Sequence, residues 1–95
     1  MKIRLADYIA NFLADRGVTD CFTVVGGGAM HLNDAFGHND RIHCTYNHHE
    51  QASAIAAEAY ARLNNKIAAL SVTTGPGGTN AITGVVGGWL DSIPM

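Results

Sequence analysis

The feature that most constrains this chain is a regular alternation of helix-prone and strand-prone segments. Apolar residues at helical spacing open the chain, at Leu5, Ile9, Phe12 and Leu13. Gly17 follows them as the predicted end of the first helix. Later helices are predicted at 30–36, 50–63 and 79–90, and strands at 21–25, 42–46 and 67–72. Such an alternation favours an α/β fold with a parallel sheet.

The composition is that of one globular domain with few charges. The chain has 95 residues, which allows one domain at most. Hydrophobic residues make up 47% and charged residues 15%, against about 25% charged residues in a typical globular protein. So few charges leave a small domain short of polar surface. We therefore expect another chain, or further sequence, to cover part of it.

Charge and hydropathy exclude two classes of partner. The formal net charge is -2 and no basic stripe occurs, so we expect no nucleic acid. The N-terminus lacks the apolar core of a signal peptide, and the weakly polar run 81–90 is far shorter than the roughly 20 residues that span a bilayer. Cys21 and Cys44 stand alone without CxxC spacing, as is typical of reduced, buried thiols. We therefore expect a cytoplasmic protein without membrane contact.

Two glycine-rich loops each follow a predicted strand, at 26–28 and 73–78. Ligands of open α/β sheets bind beyond the carboxyl ends of the strands, and glycine lets the backbone approach a flat ligand closely. Such glycines also form ordinary tight turns, and this alternative stays open. A dinucleotide motif beginning at Gly75 would need glycine where Asn80 stands, and no Gly-Lys-Ser/Thr run occurs. The loops therefore predict contact with an uncharged ring.

Glu50 opens the alanine-rich predicted helix directly after His48 and His49. The helix dipole alone favours a carboxylate in the first turn, so Glu50 has a purely structural interpretation. The functional interpretation is a poorly solvated carboxyl group on the same side as the glycine loops. A carboxyl group in that position can share a proton with a heterocyclic nitrogen.

A metal site is not expected, although the chain is rich in histidine. Five histidines are candidates: His31, His38, His43, His48 and His49. Adjacent histidines point to different sides of most backbones, and no pair has the i, i+4 spacing of a helical zinc site.

Small residues cluster in the last two predicted helices. Alanine dominates 52–61, and Gly84 and Gly88 lie in the helix that follows. Helix propensity alone accounts for the alanines. The alternative is close packing of another helix, from this chain or from a second subunit, and a homodimer is the favoured arrangement.

Four motifs occur in order along the chain. They are His49-Glu50-Gln51, Ala59-Tyr60-Ala61-Arg62, the run from Thr74 to Asn80, and Asp91-Ser92-Ile93-Pro94. Together they resemble the pyrimidine-binding domain of thiamine-diphosphate (ThDP) enzymes, in the branch of acetolactate synthase, benzoylformate decarboxylase and pyruvate oxidase. The resemblance implies a flavodoxin-like, three-layer α/β/α fold with a parallel sheet, truncated at its C-terminal end. Residues 1–95 would then form part of one pyrimidine-binding domain.

The resemblance also implies roles for individual residues. Glu50 is the catalytic carboxylate that activates the aminopyrimidine by a hydrogen bond to its N1′. Val25, Gly26 and Gly27 lie beside the pyrimidine, and Thr73 and Asn80 lie near the reacting centre. The reaction implied is decarboxylation or carboligation of a small 2-oxo acid by a lyase or transferase. Some relatives carry a proton-transferring histidine where Thr73 stands, so the chain falls on the acetolactate-synthase-like side.

The family binds the diphosphate and Mg²⁺ through a separate C-terminal domain with a Gly-Asp-Gly run, and no such run occurs here. The resemblance implies a homodimer or homotetramer with the active site between subunits. A second hypothesis is a non-catalytic dimerisation or docking module that lacks the diphosphate domain. Both hypotheses stay open on the sequence alone.

Overall fold

The computed structural model of the chain describes residues 2–95. Over these residues the order is α1 (Leu5–Asp15), β1 (Asp20–Thr23), a short 3-10 turn (Gly27–Ala29), α2 (Met30–Gly37), β2 (His43–Tyr46), α3 (Glu50–Asn64), β3 (Ala69–Ser71) and α4 (Pro76–Leu90). The strands form a parallel sheet in the order β2-β1-β3. The predicted α/β fold with a parallel sheet is confirmed. No helix in the described part of the chain is both long and apolar enough to cross a membrane.

The sheet separates two apolar clusters, which makes the fold three-layered. The cluster on one face joins α1 and α2 to the sheet through Ala10, Cys21, Ala35, Phe36 and Ile42. On the other face, residues of α3 pack with Ala68, and Phe22 lies against them. Neighbouring residues of a strand point to opposite faces, so Cys21 and Phe22 in the central strand serve the two clusters. The predicted three-layer α/β/α arrangement is confirmed.

The first helix ends where its glycine predicts. Gly17 has a φ of +87°, a backbone conformation that residues with a side chain rarely adopt. Its N–H donates to Ala14 O at 3.0 Å, and the N–H of Val18 donates to Leu13 O at 3.1 Å. This pair of bonds is a Schellman motif, which satisfies two carbonyls at the helix end.

The last helix begins three residues earlier than the predicted 79–90. Pro76 is its first residue, where the fixed φ of proline and its missing N–H are tolerated. Gly75 precedes it with a φ of +67°, and the N–H of Thr79 donates to Gly75 O at 3.1 Å. The predicted loop 73–78 is therefore wrong in its second half, because Gly77 and Gly78 belong to the first turn of α4.

The predicted strand 21–25 is also shorter in the structure. The pairing of β1 ends at Thr23, which lies opposite Tyr46 on one side and Ser71 on the other. Val24 and Val25 therefore run beyond the sheet, and Val25 is 60% exposed.

The two cysteines lie opposite each other on β1 and β2 and are both free. Cys21 is fully buried, as predicted, whereas Cys44 is only half-buried. Burial raises the pKa of the Cys21 thiol to about 12. Because the thiolate is the reactive form, Cys21 is a structural and not a nucleophilic residue.

Close packing of α3 against α4 explains the small residues of both helices. Ser53, Ala54 and Ala57 of α3 are fully buried. A Cβ atom at Gly84 of α4 would overlap the Cβ of Ala54 and lie 3.1 Å from its carbonyl carbon. The predicted close approach of a helix is present, and α4 of the same chain makes it.

Two glycines of α4 provide a matched test of this packing. Gly84→Ala should lower the free energy of unfolding by about 1–3 kcal/mol, because the added methyl group forces the helices apart. Gly87→Ala should be neutral or stabilise by up to about 1 kcal/mol, since a Cβ there lies 3.5 Å from Glu58 Oε2. Urea unfolding measures both. Equal effects would contradict the close contact at Gly84.

Candidate functional site

The predicted site residues converge at the edge of the sheet where the strands end. Because the three strands are parallel, the segments that follow Thr23, Tyr46 and Ser71 emerge at the same edge. These segments carry Val25 to Gly27, Glu50 and Thr73. Asn80, the fifth residue of α4, lies at the same place, because its side chain contacts Glu50.

The carboxylate of Glu50 lies over the first turn of α4. Its Oε2 accepts a hydrogen bond from Asn80 Nδ2 at 3.3 Å, and its Oε1 lies 3.6 Å from the position of a Cβ at Gly77. Glu50 is also the first residue of α3. The N-termini of two helices therefore stabilise one negative charge. Glu50 is half-buried, so its carboxylate is better solvated than expected.

Thr73 joins the two glycine loops. Its Oγ1 accepts a hydrogen bond from the N–H of Gly28 at 3.1 Å. A Cβ at Gly26 would lie 2.5 Å from Thr73 Cβ, and one at Gly77 would lie 2.7 Å from Thr73 Cγ2. Gly26 has an extended backbone with a φ of −170°. Position 26 therefore requires glycine because a side chain has no space there, and not because the backbone has an unusual conformation.

Gly27 and Val25 form the open part of the first loop. Apart from Gly27 itself and its neighbours along the chain, no heavy atom lies within 4 Å of a Cβ position at Gly27. Both residues are exposed, beside the packed contact of Gly26 with Thr73. The loop therefore presents bare backbone and one apolar side chain to solvent, which suits contact with the face of a ring.

The corner that carries Glu50 is held by three residues at or just before the start of α3, which are Asn47, His49 and Ser53. Their roles were not predicted from the sequence. His49 Nδ1 accepts a hydrogen bond from the N–H of Gln51 at 3.0 Å, and so caps the helix. Ser53 Oγ donates to Asn47 Oδ1 at 2.9 Å, and the N–H of Asn47 donates to Thr23 O at 2.9 Å. The available signal was the place of His49 directly before the first helical residue.

The histidines are dispersed over the surface. His38 lies 3.0 Å from an Asp34 carboxylate oxygen, and His43 lies 3.6 Å from one of Asp20. Within residues 2–95, no three side chains of His, Cys, Asp or Glu come close enough together to hold a metal ion.

One family of known proteins matches almost the whole chain. The sequence model of the family described as "Thiamine pyrophosphate enzyme, N-terminal TPP binding domain" matches residues 3–95.

Similar curated proteins are acetolactate synthases. The large subunit from Haemophilus influenzae is 38% identical over 94 residues, which are 99% of this chain and 16% of that protein. The isozyme 3 large subunit from Escherichia coli is 37% identical over 90 residues, 95% of this chain and 16% of the relative. The chloroplastic enzyme from Arabidopsis thaliana is 36% identical, over 95% of this chain and 13% of the relative. The chain thus spans less than a fifth of the length of these relatives.

The contact between Gly26 and Thr73 can be tested with a neighbouring glycine as control. Gly26→Ala should destabilise the chain by about 1–3 kcal/mol, because the new methyl group overlaps Thr73. Gly27→Ala should have little effect, since the space around it is open. Adding Thr73→Gly to Gly26→Ala should recover part of the loss. Thermal unfolding measures all three, and a similar loss at both glycines would contradict the packing described.

Proposed function

The chain belongs to the family of N-terminal TPP-binding domains of thiamine pyrophosphate enzymes, and we propose that it is the pyrimidine-binding part of a ThDP-dependent enzyme acting on 2-oxo acids. The reaction is decarboxylation or carboligation of the acetolactate synthase type. One observation carries the proposal. The Glu50 carboxylate lies at the carboxyl edge of the sheet, beside Gly77, and accepts a hydrogen bond from Asn80.

The residues at this edge fit a flat, uncharged heterocycle. Gly26 and Gly27 offer backbone without side chains, and Val25 offers exposed apolar surface. Because Oε2 of Glu50 is engaged by Asn80, Oε1 is the atom left to share a proton with a ring nitrogen. When bound, ThDP supplies the carbanion chemistry at its thiazolium ring. The role of Glu50 is to hold the proton at the pyrimidine.

Thr73 orients the loops and does not transfer protons. Its hydroxyl already accepts the Gly28 N–H, and its methyl group fills the space between Gly26 and Gly77. A threonine hydroxyl does not titrate near neutral pH. This supports an acetolactate-synthase-like reaction over one that uses a histidine at this position.

The resemblance places the sites for the diphosphate and Mg²⁺ outside this chain. The described residues hold no three-ligand cluster, and the sequence has no Gly-Asp-Gly run. We assign both groups to a separate domain, as the resemblance implies. The two free cysteines are compatible with the reducing cytoplasm, where we place the protein.

The alternative of a non-catalytic docking module has one observation in its favour. Large apolar side chains stand exposed along one face of α4, at Ile82, Val85, Val86, Trp89 and Leu90. Soluble proteins rarely expose so contiguous an apolar face without a partner.

Calorimetry with ThDP and Mg²⁺, followed by a hybrid enzyme, separates the two functions. In the hybrid, this chain replaces the matching segment of the E. coli isozyme 3 large subunit. We expect the hybrid to retain the acetolactate synthase activity of the E. coli subunit. An inactive hybrid, together with no ThDP binding by the 95-residue chain, would favour the docking module.

Glu50→Gln in the hybrid should slow turnover and exchange of the ThDP C2 proton by about 10²–10⁴-fold, because an amide cannot hold the proton. Glu58→Gln is the matched control, since Glu58 lies on the same helix and pairs with Arg62. Unchanged proton exchange in Glu50→Gln would disprove the role of Glu50.

We also propose that the chain forms a homo-oligomer through the exposed face of α4, with the active site between subunits. Trp89 is 81% exposed and Leu90 is 75% exposed. Trp89→Lys should shift the chain from dimer to monomer in sedimentation velocity, because it places a charge on this apolar face. Leu5→Lys, on the opposite side of the sheet, should leave the dimer intact. A wild-type monomer at high concentration would rule out self-association.

A further inference from the structure

We propose that His49 is a positioning residue, whose neutral imidazole caps α3 and so leaves the Glu50 carboxylate free to face α4. The role of Glu50 in this proposal depends on the proposed function. The way in which Glu50 is held follows from the geometry alone.

The first turn of a helix has N–H groups without partners inside the helix, and a cap supplies an acceptor. His49 has the extended backbone of an N-cap residue, with φ −152° and ψ 138°. Its Nδ1 accepts the N–H of Gln51 at 3.0 Å, while its carbonyl accepts the N–H of Ser53 at 3.1 Å. Histidine is not among the preferred N-cap residues, so its use directly before Glu50 needs an explanation.

The explanation lies in competition for the Glu50 carboxylate. A carboxylate in a first helical turn is a strong acceptor for free N–H groups and is attracted by the helix dipole. Without the imidazole, the N–H of Gln51 would compete with Asn80 for that carboxylate. With the imidazole in place, Glu50 accepts from Asn80 across the gap between α3 and α4.

The protonation state of His49 follows from the same bond. Nδ1 accepts a hydrogen bond, so it carries no proton, and the ring is the neutral tautomer with its proton on Nε2. A doubly protonated ring cannot cap the helix. His49 is exposed, whereas the bond between Ser53 and Asn47 that anchors the corner is part-buried. Replacing the imidazole therefore leaves the anchor of the corner intact.

The test is nuclear magnetic resonance of the full chain without cofactor, on three variants. His49→Phe keeps the ring and removes the acceptor, His49→Asn supplies a standard cap, and His48→Phe changes the exposed neighbour. In the wild type we expect an imidazole ¹⁵N spectrum with an unprotonated Nδ1. In His49→Phe we expect exchange of the Gln51 amide to rise about tenfold. The side-chain amide signals of Asn80 should also move, because Glu50 no longer accepts its hydrogen bond.

His49→Asn and His48→Phe should keep the wild-type signals of Gln51 and Asn80. A purely structural cap would lower the melting temperature of His49→Phe without moving the Asn80 signals, and that result would overturn the proposal. So would a protonated Nδ1 in the wild type. In the hybrid enzyme, His49→Phe should lower kcat by up to about 100-fold with little change in KM. If Glu50→Gln has no effect there, the proposed function fails while the resonance experiment still decides the role of His49.

Discussion

The contact of α3 with α4 is the interaction on which the candidate site depends. Gly84 lets α4 approach Ala54 so closely that position 84 has no room for a Cβ atom. Both helices follow parallel strands, so their N-termini lie side by side at the same edge of the sheet. The close approach is what allows Asn80 of one helix to reach Glu50 of the other. A packing contact in the body of the domain therefore sets a hydrogen bond at its edge.

Thr73 imposes a second constraint at the same edge. It touches Gly26 and Gly77 and accepts the N–H of Gly28, so one side chain fixes the separation of both glycine loops. The glycines thus fall into two kinds. Gly26 and Gly77 are needed because Thr73 occupies the space of a side chain, whereas Gly75 is needed for its positive φ. Both kinds of constraint are set by contacts and backbone conformation within the chain itself.

Sequence patterns predicted most of the fold and part of the site. The alternating segments predicted the layers, because each apolar face must be buried against another element. The start of α4 was predicted three residues too late, because glycine has a low helix propensity. In the structure Pro76 is the first residue of the helix and Gly75 is its N-cap. The bond of Asn80 to Glu50 could not be predicted, since it depends on how closely two helices pack. The cap at His49 was missed because histidine is a weak N-cap by statistics, and only the geometry reveals its acceptor.

Under the proposed function, the position of Glu50 favours a neutral ring over a phosphate at this edge. In many α/β proteins the N-terminus of a helix after a glycine loop binds an anion through its N–H groups and dipole. Here the first turn of α4 already faces an anion of the protein itself, the Glu50 carboxylate beside Gly77 and Asn80. A phosphate placed there would meet a like charge at short range. A neutral heterocycle would not, and it could share a proton with that same carboxylate. The Glu50 carboxylate thus disfavours an anionic ligand, and under the proposed function it is the group that shares a proton with a ring nitrogen.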